Sequence, residues 1–301
     1  MVFEISKYDM RDSFFIKLYK LLTKNNKYII LSNDYGAPQL DLIKRDFPKN
    51  IINMGITEQN MVSVASGLAS RGFIPILYSI STFITRRSYE QLLLDVGIMN
   101  LPVLILGVGG GYAYSMDGPT HHAFDDLALI KSVPNSRIFS PSDNSFFEKL
   151  NDRFFDYKGL TYLRLDRGYK PLYINQIDNC VTRKDFHFIK NKSKNCILTY
   201  GGVSQILIKK EIYKKYNIID LLKIHPLPNI LNLLKTFKNS IIIEEHIFNG
   251  SVYSSLLNLI NSKSHKGINL DGRYLNLSKV AGYGTRDFLH KKNKLFNKLG
   301  V

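Results

Sequence analysis

Two stretches of the sequence carry residue types whose spacing could support chemistry. In the first, Glu58 directly follows Thr57, a residue type that caps helix N-termini, and Met61 and Ala65 continue an apolar helical face. An acid in the first turn is favoured by the helix macrodipole, which explains Glu58 without any function. The second stretch, residues 117–126, combines two histidines with three aspartates. We therefore interpret Glu58 together with this second stretch.

Residues 117–126 allow more than one chemistry. They follow the apolar strand-length run 102–107, and ligands bind at the carboxyl ends of strands in open parallel sheets. His122 and Asp126 are four residues apart and could share a helical face to bind a metal, but no third ligand converges on them. Asp125 and Asp126 are also explained as first-turn helix acids. Alternatively, the imidazoles hydrogen-bond a polar substrate or shuttle protons, and we predict no metal ligands.

Two further motifs are weaker. The glycine-rich loop 107–111 follows a strand, but the third glycine of the dinucleotide-binding motif would fall at Tyr112, so the spacing does not match. We interpret this loop as flexible or closely packed backbone beneath a site. Glu244, Glu245 and His246 alternate between the faces of a strand end, which favours a polar strand terminus over joint metal ligation.

Short apolar runs alternate with amphipathic helices along the chain. Strands are predicted at 27–32, 51–53, 74–78, 102–107, 137–140, 161–165, 196–200, 218–222 and 240–244. Helices are predicted at 10–23, 41–46, from 58, at 81–98, 127–131, 145–151, from the Gly201-Gly202 turn to Tyr216, and at 251–260. This alternation predicts an α/β fold with two doubly wound, mainly parallel domains. Patterning weakens after Gly168, so we predict domains at 1–170 and 194–301 joined by a linker, 171–193.

Composition excludes several classes of protein. The 301 residues are 45% hydrophobic, which is typical of a globular chain, and the formal charge is +16. The lysines are scattered without a dense basic cluster, so we predict no binding to nucleic acid. Cys180 and Cys196 do not make a disulfide framework. No apolar run of about twenty residues predicts a membrane span, and with no signal peptide pattern at the N-terminus we expect a cytoplasmic protein.

Several motifs together resemble a known family. They are NMGITEQN (53–60), STFITRRSYEQLLLDV (81–96), NLPVLILG (100–107), DGPTHHAFDDLALIKSVPN (117–135), RIFSPSD (137–143), YLRLDRG (162–168), IDLLKIHPLP (219–228), IIIEEHIFNGS (241–251) and GYGT (282–285). On these residues the chain resembles the C-terminal half of transketolase, and more narrowly the separate C-terminal subunit of split, two-chain transketolases. The DGPTHH block is also similar to deoxyxylulose-phosphate synthase. The resemblance implies a thiamine-pyrimidine-binding domain followed by a smaller transketolase C-terminal-like domain.

The resemblance assigns roles toward thiamine diphosphate. Glu58 matches the glutamate that hydrogen-bonds N1′ of the aminopyrimidine, a contact that favours the imino tautomer able to remove the C2 proton. Phe83 matches the aromatic residue that stacks on the pyrimidine, and Tyr89 another ring of that pocket. Arg86 stands where the family has a further pocket aromatic, so we include it in the cofactor-binding set. Glu58 and His121 form the expected catalytic pair.

The resemblance also assigns substrate contacts. Asp117 and His121 match groups that contact the hydroxyls and phosphate of sugar substrates, and we include the neighbouring His122. Arg11 and Arg167 match arginines that hold the ketose phosphate, a role suited to a fixed guanidinium fork. Surface solvation is the alternative explanation for both arginines.

Two departures from the family pattern concern the cofactor and the substrate. Longer members carry a histidine before DGPTHH, at about Gly109 of this sequence. The family's diphosphate and Mg²⁺ motif, Gly-Asp-Gly followed about thirty residues later by Asn, has no match here. The resemblance therefore implies that an N-terminal partner subunit ligates Mg²⁺ and the diphosphate, in a heterotetramer of two plus two chains.

The implied activity is a transketolase reaction on sugar phosphates, in which a two-carbon ketol unit passes from a ketose phosphate to an aldose. The alternatives are a deoxyxylulose-phosphate-synthase-like or 2-oxoacid-dehydrogenase E1-beta-like subunit, and a non-catalytic scaffolding paralogue. A 2-oxoacid enzyme would need a matching acid site, whereas Arg11, Asp117 and His121 favour a polyol. A scaffold would need neither Glu58 nor the DGPTHH block.

Overall fold

The computed structural model describes residues 8–168, 173–262 and 267–297. The strands are β1 Tyr28–Ser32, β2 Ile51–Asn53, β3 Ile74–Ile80, β4 Val103–Val108, β5 Arg137–Phe139, β6 Leu160–Leu165, β7 Cys180–Thr182, β8 Phe186–Ile189, β9 Asn195–Thr199, β10 Asn217–Leu221, β11 Lys223–His225, β12 Asn239–Ile247 and β13 Leu270–Leu275. The predicted strands are confirmed to within one to three residues at each end.

The helices are α1 Met10–Leu22, α2 Pro38–Asp46, α3 Glu58–Ser70, α4 Ser81–Arg87, α5 Tyr89–Gln91, α6 Asp126–Lys131, α7 Ser145–Glu148, α8 Asp152–Phe155, α9 Gly202–Lys209, α10 Leu231–Leu234, α11 Val252–Ser262 and α12 Arg286–Lys292. The helix predicted at 81–98 is broken into α4, α5 and a π-helical segment, Leu92–Ile98. Gly97 in that segment packs closely against Val133. A Cβ at position 97 would lie 2.6 Å from Cγ1 of Val133.

The first sheet has the order β11-β5-β6-β4-β3-β1-β2. Every pair in it is parallel except β11 with β5, which is antiparallel. The central strand β4 reads VLILGV and is buried along its whole length, as a strand covered by helices on both faces must be. The predicted doubly wound parallel sheet is confirmed.

The second sheet has the order β13-β12-β9-β10-β8-β7. Its β13, β12, β9 and β10 pair in parallel, whereas β8 and β7 add as an antiparallel hairpin. This hairpin, 180–189, lies inside the segment predicted as a linker. Its strands are short and β7 is largely exposed, so the apolar pattern that identifies a strand is weak there. The domain boundaries themselves stay a prediction.

Strand β11 links the two halves of the chain. It follows β10 of the second sheet but pairs with β5 of the first, with Lys223 opposite Phe139. Glu244, Glu245 and His246 are also placed differently from the prediction of a polar strand terminus. Strand β12 continues past them to Ile247, and all three side chains are buried.

Glu244 and Glu245 face different partners, as the alternation of a strand requires. Glu244 accepts from the backbone N–H groups of Val252 and Tyr253 at the start of α11. Glu245 accepts two bonds from Arg286 of α12, at 2.6 Å each. Buried carboxylates here thus fix the N-terminus of one helix and the position of another. No helix in the described part of the chain is both long and apolar enough to cross a membrane.

Candidate functional site

The carboxyl ends of neighbouring strands in the first sheet gather most of the predicted site residues. Strand β2 leads to Glu58, β3 to Phe83, β4 to the loop 109–122 and β6 to Arg167, and β1 leads to Tyr35. Because these strands are parallel and adjacent, their ends meet along one edge of the sheet. The sequence order of the elements thus brings distant residues into one region.

The carboxylate of Glu58 lies beneath Arg87. Nη1 of Arg87 is 2.9 Å from Oε1 of Glu58, whose side chain is 5% exposed while that of Arg87 is 48% exposed. The Arg87 guanidinium carbon also lies 4.1 Å from the centroid of the Phe83 ring. Phe83 and Arg87 are four residues apart in α4, a spacing that brings side chains together on one helix face. Arg87 therefore contacts both Glu58 and Phe83, the two residues that the resemblance assigns to the aminopyrimidine of the cofactor.

His121 connects Phe83 to the opposite side of the site. Its ring centroid lies 4.9 Å from that of Phe83 and 5.8 Å from that of Tyr114. Its Nδ1 is 3.0 Å from Oγ1 of Thr120, so the ring is held by its neighbour in the turn Pro119–His121. The structure thus places His121 between the acid–ring pair and a group of tyrosines.

These tyrosines, Tyr35, Tyr78 and Tyr114, form a tyrosine cluster around Arg11. The hydroxyl of Tyr35 pairs with that of Tyr114 and accepts a bond of 3.0 Å from Nη1 of Arg11. The rings of Tyr35 and Tyr78 stack with centroids 4.8 Å apart. Burial raises the pKa of Tyr78 and of Tyr114, so both phenols stay protonated and act as hydrogen-bonding groups.

Arg167 approaches the same cluster from the end of β6. Its guanidinium carbon lies 4.7 Å from the centroid of the Tyr114 ring, and Nη1 is 3.9 Å from Oδ2 of Asp117. Both partners of this ion pair are largely exposed, so it is weak in water. Arg11 thus reaches the tyrosine cluster through Tyr35, whereas His121 and Arg167 reach it through the Tyr114 ring, and Asp117 pairs with Arg167.

The glycine-rich loop is closely packed, as one of the two predicted alternatives stated. A Cβ at Gly109 would lie 2.3 Å from the Tyr114 ring, and the residue has φ +98°. At Gly111, a Cβ would lie 2.2 Å from Oε2 of Glu245. Tyr114 fills the space above Gly109, which is at about the position where the family pattern has a histidine.

Arg86 anchors the DGPTHH loop. It donates from Nε and Nη2 to Asp125, at 3.0 and 2.7 Å, and from Nη2 to the carbonyl of His122 at 3.0 Å. Its guanidinium also covers the ring of Phe124. The contacts of Arg86 are therefore with the loop, and its predicted role toward the cofactor stays a prediction.

His122 and Asp126 lie beneath the loop and do not share a helical face, because α6 begins only at Asp126. The His122 ring is fully buried against Tyr112, and burial lowers its pKa. Asp126 accepts from Arg164 Nε at 2.7 Å and from the Tyr162 hydroxyl at 2.8 Å. In the residues that the structure describes, no three metal-binding side chains converge. The predicted substrate contact of His122 would require the loop to open.

Tyr89 is held away from the centre of the group. Its hydroxyl pairs with Ser132 Oγ at 2.7 Å, at the end of α6. Sequence reasoning missed Arg87 and all three members of the tyrosine cluster, Tyr35, Tyr78 and Tyr114. Arg87 stands within STFITRRSYEQ next to a residue already selected, and Tyr114 within the loop before DGPTHH, so their places in these motifs were the available signal.

The fold and site define an α/β protein with a polar, aromatic-lined site at the carboxyl edge of a parallel sheet. Residues 6–171 match the family model described as the transketolase pyrimidine-binding domain. This match covers more than half of the chain, and the chain therefore belongs to the transketolase pyrimidine-binding-domain family.

Curated relatives agree with this assignment. The chain is 28% identical over 232 residues to one of the subunits of the apulose-4-phosphate transketolase of Actinobacillus succinogenes, covering 72% of this chain and 71% of that protein. It is 34% identical over 152 residues to the 1-deoxy-D-xylulose-5-phosphate synthase of Parasynechococcus marenigrum. That match covers 50% of this chain but 23% of the synthase, so the chain aligns with less than a quarter of that relative's length.

Solved structures share the fold. A split-gene transketolase, described as an inactive β4 tetramer, superposes with a TM-score of 0.78 at 22% identity and covers 95% of this chain and 94% of its own. Transketolase from Leishmania mexicana superposes with a TM-score of 0.68 at 15% identity, over 95% of this chain and 43% of that one. These likenesses confirm the predicted order of two α/β domains.

Proposed function

We propose that this chain is the C-terminal subunit of a two-chain, thiamine-diphosphate-dependent transketolase that transfers a two-carbon ketol unit from a ketose phosphate to an aldose. The observation that carries the proposal is the connected group from Glu58 through Phe83 and His121 to the tyrosine cluster. This group places an acid, a ring that can stack and an imidazole close to two arginines, and arginines are suited to binding a sugar phosphate.

The residues fit the aminopyrimidine of thiamine diphosphate. Glu58 offers a buried carboxylate beside the half-buried ring of Phe83, and the group that covers both is the half-exposed side chain of Arg87. When bound, this cofactor supplies a nucleophilic C2 carbon for cleavage next to a carbonyl. Glu58 would hold a proton at N1′, Phe83 would orient the ring by stacking, and Arg87 would have to move aside.

The other residues of the candidate site would bind the substrates. His121 lies beside Phe83 and is half-buried, so it is placed to hydrogen-bond a hydroxyl at the reacting carbon and to move a proton there. Arg11 and Arg167 would hold the phosphate, with Asp117 accepting from a sugar hydroxyl. Tyr114 would separate the two arginines and exclude water from the reacting end.

Exposed apolar side chains beside the site support the proposal that a partner subunit binds there. Ile56, two residues before Glu58, is 71% exposed, Met116 next to Asp117 is 66% exposed, and Tyr283 over Gly118 is 72% exposed. Large exposed apolar groups near a polar site are typical of protein interfaces. A second chain that carries the diphosphate and Mg²⁺ ligands would cover them and complete the cofactor site, and two such pairs would form the heterotetramer.

Calorimetric titration of thiamine diphosphate with Mg²⁺ tests the proposal. We expect binding by a mixture of this chain with an N-terminal transketolase subunit, and no measurable binding by this chain alone. Tight binding by the chain alone would show that it holds a diphosphate site of its own. Failure of every mixture to bind would contradict the cofactor assignment.

A second candidate function is a deoxyxylulose-phosphate-synthase-like activity, favoured by the 34% identity to such a synthase over 152 residues. The two reactions differ in the donor, which is a 2-oxoacid for a synthase of that class and a ketose phosphate for a transketolase. Product formation from each donor by the assembled enzyme distinguishes them. An E1-beta-like subunit would also use a 2-oxoacid, whereas a scaffolding paralogue would turn over neither donor.

A further inference from the structure

A second concave region lies between the two sheets, away from the candidate site. It is a cavity of about 610 Å³, within the size range of small-ligand pockets. Its walls come from β5, from α7 and α8, from the β7–β8 turn and from the start of β11. None of the residues assigned to the candidate site lines it. We call this region the basic cavity.

The basic cavity concentrates positive charge that is scattered in the sequence. Its lining residues include the cations Arg137, Lys149, Arg153, Arg183, Lys184 and Lys223. Of the described lining residues, one, Asp185, is acidic. Cations from the first domain, from the hairpin and from β11 thus face one space, and their mutual repulsion favours an anion between them.

These cations lack carboxylate partners, unlike most arginines of the chain. Within 8–168, 173–262 and 267–297, eight arginines form salt bridges with aspartate or glutamate. The arginines in those ranges that form none are Arg71, Arg137, Arg153 and Arg183, and three of these four line the basic cavity. No salt bridge of the described residues involves Lys149, Lys184 or Lys223 either. Such a set of unpaired cations is suited to a phosphate-bearing ligand.

One wall of the basic cavity is aromatic. Phe139, Phe146 and Phe154 pack together with ring centroids 5.1 to 6.0 Å apart. Arg137 lies against this wall, 4.7 Å from the Phe154 centroid and 4.1 Å from that of Tyr157. Burial without a carboxylate lowers the pKa of Arg137 to about 10. Aromatic faces beside cations are the combination that binds a nucleobase and its phosphates.

We propose that the basic cavity binds a nucleoside di- or triphosphate, with the phosphates among the Arg183, Lys184 and Lys223 side chains and the base against Phe146 and Phe154. The ligand would touch both the first domain and the hairpin of the second sheet. Binding would therefore stabilise one arrangement of the two domains. This site is independent of the proposed transketolase activity.

Calorimetric titration of the full chain with ATP, and separately with tripolyphosphate, tests the proposal. The titrations are made in 0.15 M NaCl, an ionic strength at which exposed charges more than about 8 Å apart are largely screened. Arg183 is exposed in the β7–β8 turn, so Arg183→Glu should leave the fold intact. We expect this change to weaken ATP binding about tenfold or more, because it removes a charge-assisted bond and adds repulsion. Phe146→Leu should weaken ATP about fivefold or more and leave tripolyphosphate binding unchanged.

The matched control is Arg71→Glu, which reverses the charge of the unpaired arginine outside the basic cavity. We expect it to change ATP affinity less than about twofold, because Arg71 does not line the basic cavity and salt weakens interactions between exposed charges that are not in contact. Equal weakening by the two arginine variants would mean that general positive charge binds ATP, and the proposal would be wrong. Absence of ATP binding at millimolar concentration, or tripolyphosphate binding as tightly as ATP, would also overturn it.

Discussion

The guanidinium of Arg87 donates to Glu58 at 2.9 Å while covering the face of the Phe83 ring. In the proposed function these are the two surfaces that a flat aminopyrimidine would occupy. Arg87 and the cofactor would therefore compete for the same partners. Since Arg87 is half-exposed, the ion pair is weak enough to be displaced.

Replacing Arg87 tests this competition. We expect Arg87→Ala to tighten thiamine diphosphate binding by the assembled enzyme about two- to fivefold, because an ion pair whose arginine is half-exposed contributes about 1 kcal/mol. Calorimetry of the mixture with the partner subunit measures the affinity directly, without relying on turnover. Arg71→Ala, at an exposed arginine outside the site, is the control. Weaker binding by Arg87→Ala would show instead that Arg87 contacts the cofactor.

Glu58→Gln removes the carboxylate and preserves its shape. We expect ketol transfer by the assembled enzyme to fall about 10²-fold or more, because the amide cannot hold the proton at N1′ in the required way. Thermal unfolding should change little, since the amide oxygen can still accept from Arg87. Glu90→Gln, at an exposed acid on the next helix, should keep full activity. Undiminished transfer by Glu58→Gln would rule out the assigned mechanism.

Gly109→Ala should destabilise the chain. The substitution places a Cβ against the Tyr114 ring and forces a residue with a side chain into φ +98°. Left-handed backbone alone costs about 1–2 kcal/mol for such a residue, so we expect the melting temperature to fall by about 3–8 °C. The control is Gly67→Ala in α3, where nothing lies within 4 Å of the new Cβ.

The control should raise stability slightly, since alanine is favoured over glycine in a helix by about 0.5–1 kcal/mol. Scanning calorimetry of both variants at one protein concentration measures the difference. An unchanged melting temperature for Gly109→Ala would mean that Tyr114 moves freely away from the loop.

His246 should make stability depend on pH. Burial lowers its pKa in the folded chain to about 4, below the value near 6.5 expected when unfolded. Between these values the unfolded state binds the additional proton, so the free energy of unfolding rises with pH from about 4 to 6.5. Through this group the free energy of unfolding is about 2 kcal/mol lower at pH 5 than at pH 7.

His246→Leu removes this titration. We expect the difference in unfolding free energy between pH 7 and pH 5 to shrink by about 2 kcal/mol, as measured by urea denaturation at both values. The other histidines contribute equally to both proteins and cancel in the comparison. If the variant kept the wild-type difference, the imidazole of His246 would titrate normally in the folded chain.

The parallel α/β layout, and the edge at which the site lies, could be predicted from patterning along the chain. Apolar runs such as VLILGV specify buried parallel strands, and parallel strands end at the same edge. The resemblance to transketolases selected Phe83, His121 and Arg167 as well as Glu58, and all four follow strands of this one sheet.

Which long side chains meet, and which stay buried, depended on packing between elements. Arg86 and Arg87 are neighbours in sequence, yet one binds Asp125 and the other Glu58, because a helix directs adjacent residues to different faces. Local sequence patterns predicted neither the hairpin 180–189 nor the clustering of cations in the basic cavity. They depend on pairing between segments far apart in the chain, and that pairing follows from the arrangement of whole elements.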